Sequence, residues 1–139
     1  DLITPNERES RFALADQDST IGGLASLLHE RAKNKNLILK LGERGIFCST
    51  RDPTATIDHF SVSSFASSIL DAVGSGDALL AYATLSMLAT GSLVIAGILG
   101  SMAAACECEM DGNIPVQLDH VLAKIDAVEK LTNYSSNGG

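Results

Sequence analysis

The sequence predicts a layered α/β fold in which helices cover both faces of a central β-sheet. The segment LILKLG, residues 37–42, is almost continuously apolar and is bounded by turn signals, as in a strand covered on both faces. Apolar stripes at helical spacing occur both before and after it. Because strands and helices alternate in this order, an α/β sheet is favoured over a helical bundle or a β-sandwich.

The predicted elements belong to one domain of 139 residues. The opening DLITP predicts the end of a strand that leads into a loop, and the caps in DST, residues 18–20, predict a helix through about Lys33. Residues 37–50 predict a hairpin around the turn GERG. The later predictions are a turn at RDPTA, a strand at TIDHF, an irregular segment SVSSFASSIL, helices over about 76–89, 93–107 and 118–131, and a frayed tail at 134–139.

Composition and charge exclude several classes of protein. Hydrophobic residues make up 45% of the chain and charged residues 19%, which is typical of a globular rather than a disordered domain. A net charge of −7 without a local cluster of Lys or Arg argues against a nucleic-acid partner. No segment has the features of a signal peptide or of a membrane span. We therefore expect a cytoplasmic protein with neither nucleic-acid nor membrane partners.

The cysteines, histidines and late acidic residues give no catalytic or metal-binding pattern of their own. An odd number of cysteines without framework spacing predicts buried free thiols at Cys48, Cys106 and Cys108. No histidine pairs with Cys or Ser in a catalytic pattern. His29 and His120 are predicted at the surface, His59 on a strand face, and Glu107, Glu109 and Asp111 at a solvated helix end.

A glycine-rich loop, DAVGSGD at residues 71–77, stands at the start of a predicted helix. Glycines let backbone N–H groups converge on an anion at the positive end of the helix dipole. A carboxylate in the first turn would lie beside that anion, as phosphoryl transfer to an alcohol requires. Taken alone, the loop is more simply explained as a helix entry with an acidic cap, and that alternative is favoured.

Three further motifs accompany the loop in a defined order. DAVGSGD resembles the signature Asp-Thr-x-Gly-Ala-Gly-Asp of the ribokinase-like (PfkB) carbohydrate kinases, TPNERE resembles their Asn-x-x-Glu motif, and LKLGERG their Thr-x-Gly-x-x-Gly turn. GILGSMAAACECEMDGNIPV resembles the Ala-rich helix that walls the nucleotide site. The resemblance runs from Asp1 to about Leu131 and implies the C-terminal portion of a three-layer α/β/α, Rossmann-like sheet. The opening is similar to that of the heptose-phosphate kinase subgroup.

The resemblance implies an enzyme that transfers a phosphoryl group from ATP to a hydroxyl of a sugar or sugar phosphate. By position, Asp77 matches the general base that deprotonates this hydroxyl. Gly74, Ser75 and Gly76 match the anion hole for the transferring group. The other hypothesis is a non-catalytic nucleotide-binding or assembly module that lacks the sugar-binding half, and a sheet cut short in this way favours a homodimer.

The resemblance also implies ATP, Mg²⁺ and a monovalent cation as cofactors. Asn6 and Glu9 match the pair that positions Mg²⁺, through water, while their spacing alone equally predicts a helix capping box. Ala72 replaces the family's Thr and Ser75 replaces its Ala. These departures affect the fine positioning of the site and the monovalent cation near Asp71, and leave the reaction class unchanged.

Five more residues are assigned to the nucleotide by the resemblance. Gly42 and Gly45 match the turn that lets ATP lie against the sheet. Lys40 precedes this turn and is either a phosphate contact or a solvated lysine at a strand edge, two alternatives that stay equally open. Met102 and Ala103 match the wall near the adenine, and the simpler interpretation of both residues is core packing.

Overall fold

A four-stranded sheet between two layers of helices forms the centre of the structure, a computed structural model that describes residues 1–52, 57–112 and 114–136. In chain order its elements are β1 (Leu2–Ile3), α1 (Glu7–Leu14), α2 (Ile21–Ala32), β2 (Asn36–Lys40), a 3-10 turn (Gly42–Arg44), β3 (Ile46–Arg51), β4 (Ile57–Val62), α3 (Ser75–Thr90), α4 (Leu93–Glu109) and α5 (Leu118–Ser136).

The strands lie in the sheet in the order of the chain, β1-β2-β3-β4. β1 pairs with β2 in parallel, whereas β2 with β3 and β3 with β4 pair antiparallel. Leu39 lies opposite Phe47 and Ile38 opposite Cys48, so these neighbouring pairs point to opposite faces of the sheet. The predicted α/β fold and its hairpin are therefore confirmed.

Each face of the sheet carries its own apolar core. Under α2 the buried residues are Leu24, Ala25, Leu28, Leu37, Leu39 and Phe47. Under α3 and α4 they are Ile38, Ile46, Cys48, Leu79, Ala83, Leu93 and Ala96. Successive side chains of β2 and β3 point to opposite faces of the sheet, so each strand contributes apolar residues to both cores. Burial of one large aliphatic side chain contributes about 1.5–3 kcal/mol, which helps to hold a helix layer on each side.

Helix α1 is an element that the sequence analysis treats as a loop, and that prediction is wrong. The chain turns at Pro5, and Asn6 then caps a helix through its side chain, which accepts a hydrogen bond from the Glu9 N–H at 2.7 Å. The Glu9 carboxylate in turn accepts from the Asn6 N–H at 3.4 Å. The capping box read from the Asn6–Glu9 spacing is thereby confirmed.

The remaining helix predictions agree with the structure to within a few residues. Thr20 is the N-cap of α2 and accepts from the Gly23 N–H at 3.1 Å. The prediction of a frayed tail from residue 134 is wrong for its first part, because α5 continues to Ser136. Residues 137–139 lie outside the described part of the chain. Most of the predicted RDPTA turn, residues 53–56, also lies outside it. None of the helices described is both long and apolar enough to cross a membrane.

His29 is predicted at the surface, and the structure instead buries it completely between α2 and the sheet. Its Nε2 lies 2.8 Å from the Ser49 hydroxyl and its Nδ1 lies 3.1 Å from the Asn34 carbonyl oxygen. A carbonyl only accepts, so Nδ1 carries the proton and Nε2 accepts from Ser49. This pair satisfies three buried polar groups and has no access to a substrate.

The acidic residues at the end of α4 are not a solvated group as predicted. Glu107 is buried, with 3% of its surface exposed, and only Asp111 lies in solvent. The Glu109 carboxylate is bound by Lys124 of α5 at 2.6 Å. Sequence spacing does not reveal this partner, because Lys124 lies 15 residues away on another helix.

Candidate active site

The glycine loop enters α3 without a side-chain cap on the first turn of the helix. Gly74 is the N-cap in the left-handed region, at φ 86°, and offers no side chain to occupy the N–H groups of the first turn. Before it, the Asp71 carboxylate accepts from the Val73 N–H at 2.9 Å. The Ser75 hydroxyl donates to the Ala72 carbonyl at 2.9 Å, so the hydroxyl gained at this position braces the loop.

Lys40, the last residue of β2, places a cation beside this helix start. A Cβ built on Gly76 would lie 3.0 Å from the Lys40 Nζ. The Lys40 N–H donates to the Pro5 carbonyl at 2.9 Å, and an isolated bridge joins Asn6 to Lys40. Residues of three predicted motifs therefore meet here, although Asn6, Lys40 and Gly76 are 34 and 36 positions apart in the sequence.

A cleft of about 410 Å³ opens between the glycine loop, the turn after β2 and α4. Its lining residues are Lys40, Gly42, Glu43, Gly45, Ile46, Ser64, Ala66, Ile69, Ala72, Ser75, Gly76, Leu79, Ser101, Ala104, Ala105 and Cys108. Its size lies within the range of small-molecule sites, and its lining is largely apolar with a few polar groups.

Gly45 is needed for this cleft to form. It has φ +91°, and a Cβ there would lie 2.0 Å from the Val62 carbonyl oxygen. Gly42 also has a positive φ, +63°, but nothing lies within 4 Å of its missing side chain. The backbone at Gly45 can therefore pass directly against the end of β4, whereas Gly42 is open to the cleft.

Met102 and Ala103 are not among the residues that line the cleft. Both are buried in a third cluster, with Val121 of α5. The face of α4 that meets the cleft carries instead Ser101, Ala104, Ala105 and Cys108. These four positions follow the i, i+3, i+4, i+7 spacing of one helix face, which is the signal that would have identified them.

Asn6 and Glu9 lie near Lys40 but border a different surface, lined also by Glu7, Arg8, Arg11, Phe12 and Gln17. Their amide and carboxylate oxygens are hard donors of the kind that suit Mg²⁺, an ion that keeps most of its waters. Among the residues that the structure describes, no cluster of three or more His, Cys, Asp or Glu forms a complete metal cage. Both side chains already accept N–H groups in the capping box of α1, so any contact with an ion would come in addition to those hydrogen bonds.

Asp77 lies in the first turn of α3 and is exposed to solvent. It shares this turn with Gly76, whose neighbour is the Lys40 ammonium. This carboxylate is therefore accessible from solvent and directly follows Gly76 of the glycine loop.

An ion pair that the sequence analysis does not predict joins α1 to the turn after β2. The Glu7 carboxylate binds the Arg11 Nε at 3.0 Å and also binds Arg44 of the 3-10 turn. The Arg44 side chain is largely exposed, so this link contributes little to the free energy of unfolding. Its effect is local, since it connects the helix capped by Asn6 and Glu9 to the turn that contains Gly42.

The thiols differ in their surroundings. Burial raises the pKa of Cys48 to about 12, and burial also raises the pKa of Cys106. Cys108 is partly exposed and lines the cleft. All three cysteines, which lie in the described ranges, are free thiols, as predicted, although Cys108 is only partly buried.

The structure thus combines an α/β sheet with a glycine-rich helix start that lies beside Lys40 and borders a cleft of about 410 Å³. The sequence profile of the pfkB family carbohydrate kinases matches residues 1–119. The chain therefore belongs to this family. No curated protein sequence matches the chain at a significant level.

Solved structures with the same fold include kinases of several substrates. Thermotoga maritima ribokinase is 24% identical, with a TM-score of 0.75 over 91% of this chain and 42% of its own. Escherichia coli phosphofructokinase-2, solved in complex with potassium, is 18% identical, with a TM-score of 0.78 over 92% and 41%. Arabidopsis thaliana ribokinase, complexed with ribose and ATP, is 21% identical, with a TM-score of 0.72 over 89% and 40%. The chain thus spans about two fifths of the length of these structures.

Proposed function

We propose that this chain carries the nucleotide site and the phosphoryl-transfer loop of an ATP-dependent kinase that acts on a hydroxyl of a sugar or sugar phosphate. The observation that carries the proposal is the contact between the Lys40 ammonium and the Gly76 position, at the N-terminus of α3 and inside the cleft. Backbone N–H groups and one cation converge there on a space that a phosphate would fill.

The proposed roles combine the positions of these residues with the family match, since Gly74 and Asp77 lie at the start of α3 but are not among the residues that line the cleft. Gly74, Ser75 and Gly76 form the anion hole, and Lys40 adds a positive charge to it. Asp77 takes the proton of the acceptor hydroxyl as that oxygen attacks the terminal phosphorus. The reaction then yields ADP and the phosphate ester of the acceptor.

The nucleotide would lie in the cleft, with its base against α4. Gly42 and Gly45 shape the turn under it, and Met102 and Ala103 support the helix from the core side. Asn6 and Glu9 would hold Mg²⁺ through water, and this ion supplies neutralising charge to the phosphates. A monovalent cation near Asp71 is part of the proposal, and the potassium complex of E. coli phosphofructokinase-2 supports it.

The acceptor is proposed as a sugar or sugar phosphate, with heptose phosphates as the first class to examine. Support comes from the family match and from the ribose complex of the Arabidopsis ribokinase. The inosine complex of a Burkholderia thailandensis nucleoside kinase makes nucleosides the alternative acceptors. A cytoplasmic location and a homodimer remain predictions from the sequence.

Isothermal titration of Mg–ATP into the chain tests the nucleotide site directly. We expect binding to the wild type and a Kd raised about tenfold or more in Lys40→Met, since a charge-assisted contact contributes about 1.5–3 kcal/mol. Lys35→Met is the matched control, because Lys35 is exposed just before β2 and lies outside the cleft. A folded wild type that takes up no Mg–ATP would contradict the proposal.

The second candidate function is a nucleotide-binding or assembly module without catalysis of its own. It is favoured by one observation, that the chain spans about two fifths of the structures it matches. Release of ADP that depends on an added sugar or sugar phosphate supports the kinase. Binding of Mg–ATP without release of ADP for any sugar or sugar phosphate tested supports the module.

A further inference from the structure

The segment that forms one wall of the cleft is attached to α4 mainly by hydrogen bonds. Residues 63–73, here called the strap, run from the end of β4 to the glycine loop without regular structure. Ser64, Ala66, Ile69 and Ala72 of the strap line the cleft. Its apolar side chains contribute little to holding it, since Ile69, Leu70 and Val73 are each more than half exposed and only Phe65 packs into a core cluster.

The strap is hydrogen-bonded to two neighbouring residues of α4, Glu109 and Cys108. The Glu109 Oε1 accepts hydrogen bonds from the Ser67 N–H at 2.7 Å and from the Ser67 hydroxyl at 2.9 Å. One turn further along the strap, the N–H groups of Leu70 and Asp71 both donate to the Cys108 carbonyl, at 2.8 and 3.2 Å. Glu109 is therefore a side chain of α4 that binds the middle of the strap directly.

The same carboxylate oxygen is bound from a third element. Lys124 of α5 donates to the Glu109 Oε1 at 2.6 Å, and the exposed fractions of the two side chains are 13% and 24%. Burial alone would raise the pKa of Glu109, but the hydrogen bonds from Lys124 and Ser67 and the nearby positive charge lower it overall. The carboxylate is thus ionised at neutral pH, and its hydrogen bonds to Ser67 are of the stronger, charge-assisted kind.

We propose that Glu109 is a positioning residue for the nucleotide cleft: it holds the strap against α4 and so fixes the wall that leads into the Gly74–Gly76 cradle. Glu109 touches no part of the cleft itself, because the lining of α4 ends at Cys108. Its effect on the nucleotide passes through Ser67 and the strap. This inference rests on the proposed function, since it assigns the cleft to a nucleotide.

The test compares three variants by amide hydrogen exchange and by Mg–ATP titration. Glu109→Leu removes the acceptor of both Ser67 bonds, whereas Lys124→Met removes the link to α5 and leaves those bonds in place. Glu129→Leu, on an exposed position of α5, is the matched control. Exchange is followed at the Leu70 and Asp71 amides, which report the attachment of the strap without any ligand.

We expect Glu109→Leu to speed exchange at Leu70 and Asp71 and to raise the Kd for Mg–ATP about tenfold, the equivalent of one charge-assisted hydrogen bond. Lys124→Met should lower thermal stability while it changes the Kd less than about twofold, because a lost ion pair between helices does not release the strap. A large rise in the Kd for Glu109→Leu together with a nearly unchanged Kd for Lys124→Met would separate positioning of the strap from general destabilisation.

Several outcomes would overturn the inference. Equal losses of affinity in Glu109→Leu and Lys124→Met would mean that the carboxylate acts only by joining α4 to α5. An unchanged Kd in a Glu109→Leu variant whose strap exchanges faster would show that the strap does not shape the nucleotide site. If the wild type itself binds no Mg–ATP, the proposed function fails and the positioning role with it, while the exchange rates still decide whether Glu109 holds the strap.

Discussion

Replacing Gly76 by alanine separates the two properties of the glycine loop, its place in a helix and its contact with an anion. Gly76 is the second residue of α3 and has no positive φ, so alanine fits its backbone and raises helix propensity by up to about 1 kcal/mol. The new methyl group would stand 3.0 Å from the Lys40 Nζ, on the cleft side. Lys40 is flexible enough to move aside, so the protein should fold normally.

The affinity for Mg–ATP should fall even though the protein is at least as stable. A methyl group in the cradle keeps a phosphate oxygen from reaching both the first-turn N–H groups and Lys40. The loss of one such contact costs about 1.5–3 kcal/mol, which raises the Kd between about tenfold and about 150-fold. Calorimetric titration gives this Kd, and urea denaturation gives the free energy of unfolding.

Gly22→Ala is the matched control for this substitution. Gly22 is also the second residue of its helix, α2, and nothing lies within 4 Å of its missing Cβ. It should gain the same helix propensity without any change in the Kd. If Gly76→Ala binds Mg–ATP as tightly as Gly22→Ala, no phosphate occupies the space beside Lys40 and the reasoning about the cradle is refuted.

Three further predictions concern the cleft and its surroundings. Gly45→Ala should lower the free energy of unfolding in urea by more than about 3 kcal/mol, because the backbone at the end of β4 blocks its Cβ. Gly42→Ala should lower the same free energy by only about 1 kcal/mol, since nothing lies near its Cβ. Equal losses in the two variants would contradict the geometry. Asp77→Asn should abolish acceptor-dependent release of ADP and leave the Kd for Mg–ATP within about threefold, and undiminished turnover would remove Asp77 from the role of base. Because the folded pKa of Glu109 is lowered, its stabilising effect is present above the pKa of an unfolded glutamate, about 4.3, and is lost as the pH falls through the lower folded value. The stability gap between wild type and Glu109→Gln should therefore be widest near neutral pH and close in acid, and a gap independent of pH would mean that the charge is not involved.

Local signals in the sequence were sufficient for most of the secondary structure. Residues 37–42 predict a buried strand because both of its faces need apolar side chains, and the structure buries Leu37, Ile38 and Leu39 completely. Helix α1 was missed because five of its eight residues are polar and only Ser10 is buried, so no apolar stripe marks it. Its only sequence signal is the capping box at Asn6 and Glu9, which the analysis recognised without extending it into a helix.

The errors in assigning side chains arise from contacts between distant parts of the chain. His29 was placed in solvent because it lies beside Glu30 on a helix, yet Ser49, twenty residues away, supplies the partner that allows its burial. Glu109 was placed in solvent because it is one of three acidic residues at a helix end, and its partners Ser67 and Lys124 lie 42 and 15 residues away. No periodicity within one helix contains this information.

The sequence by itself determined the fold class, the order of the elements apart from α1, and the type of loop at the start of α3, because turn residues, glycines and apolar spacing act over a few neighbouring residues. Only the tertiary structure decided that Lys40 lies beside Gly76, that Ser101 and Ala104 rather than Met102 face the cleft, and that Glu109 holds the strap. These are relations between segments whose distance in space is fixed by the packing of two cores on one sheet. Such packing depends on the fit of many side chains at once, and a pattern along one segment does not record it.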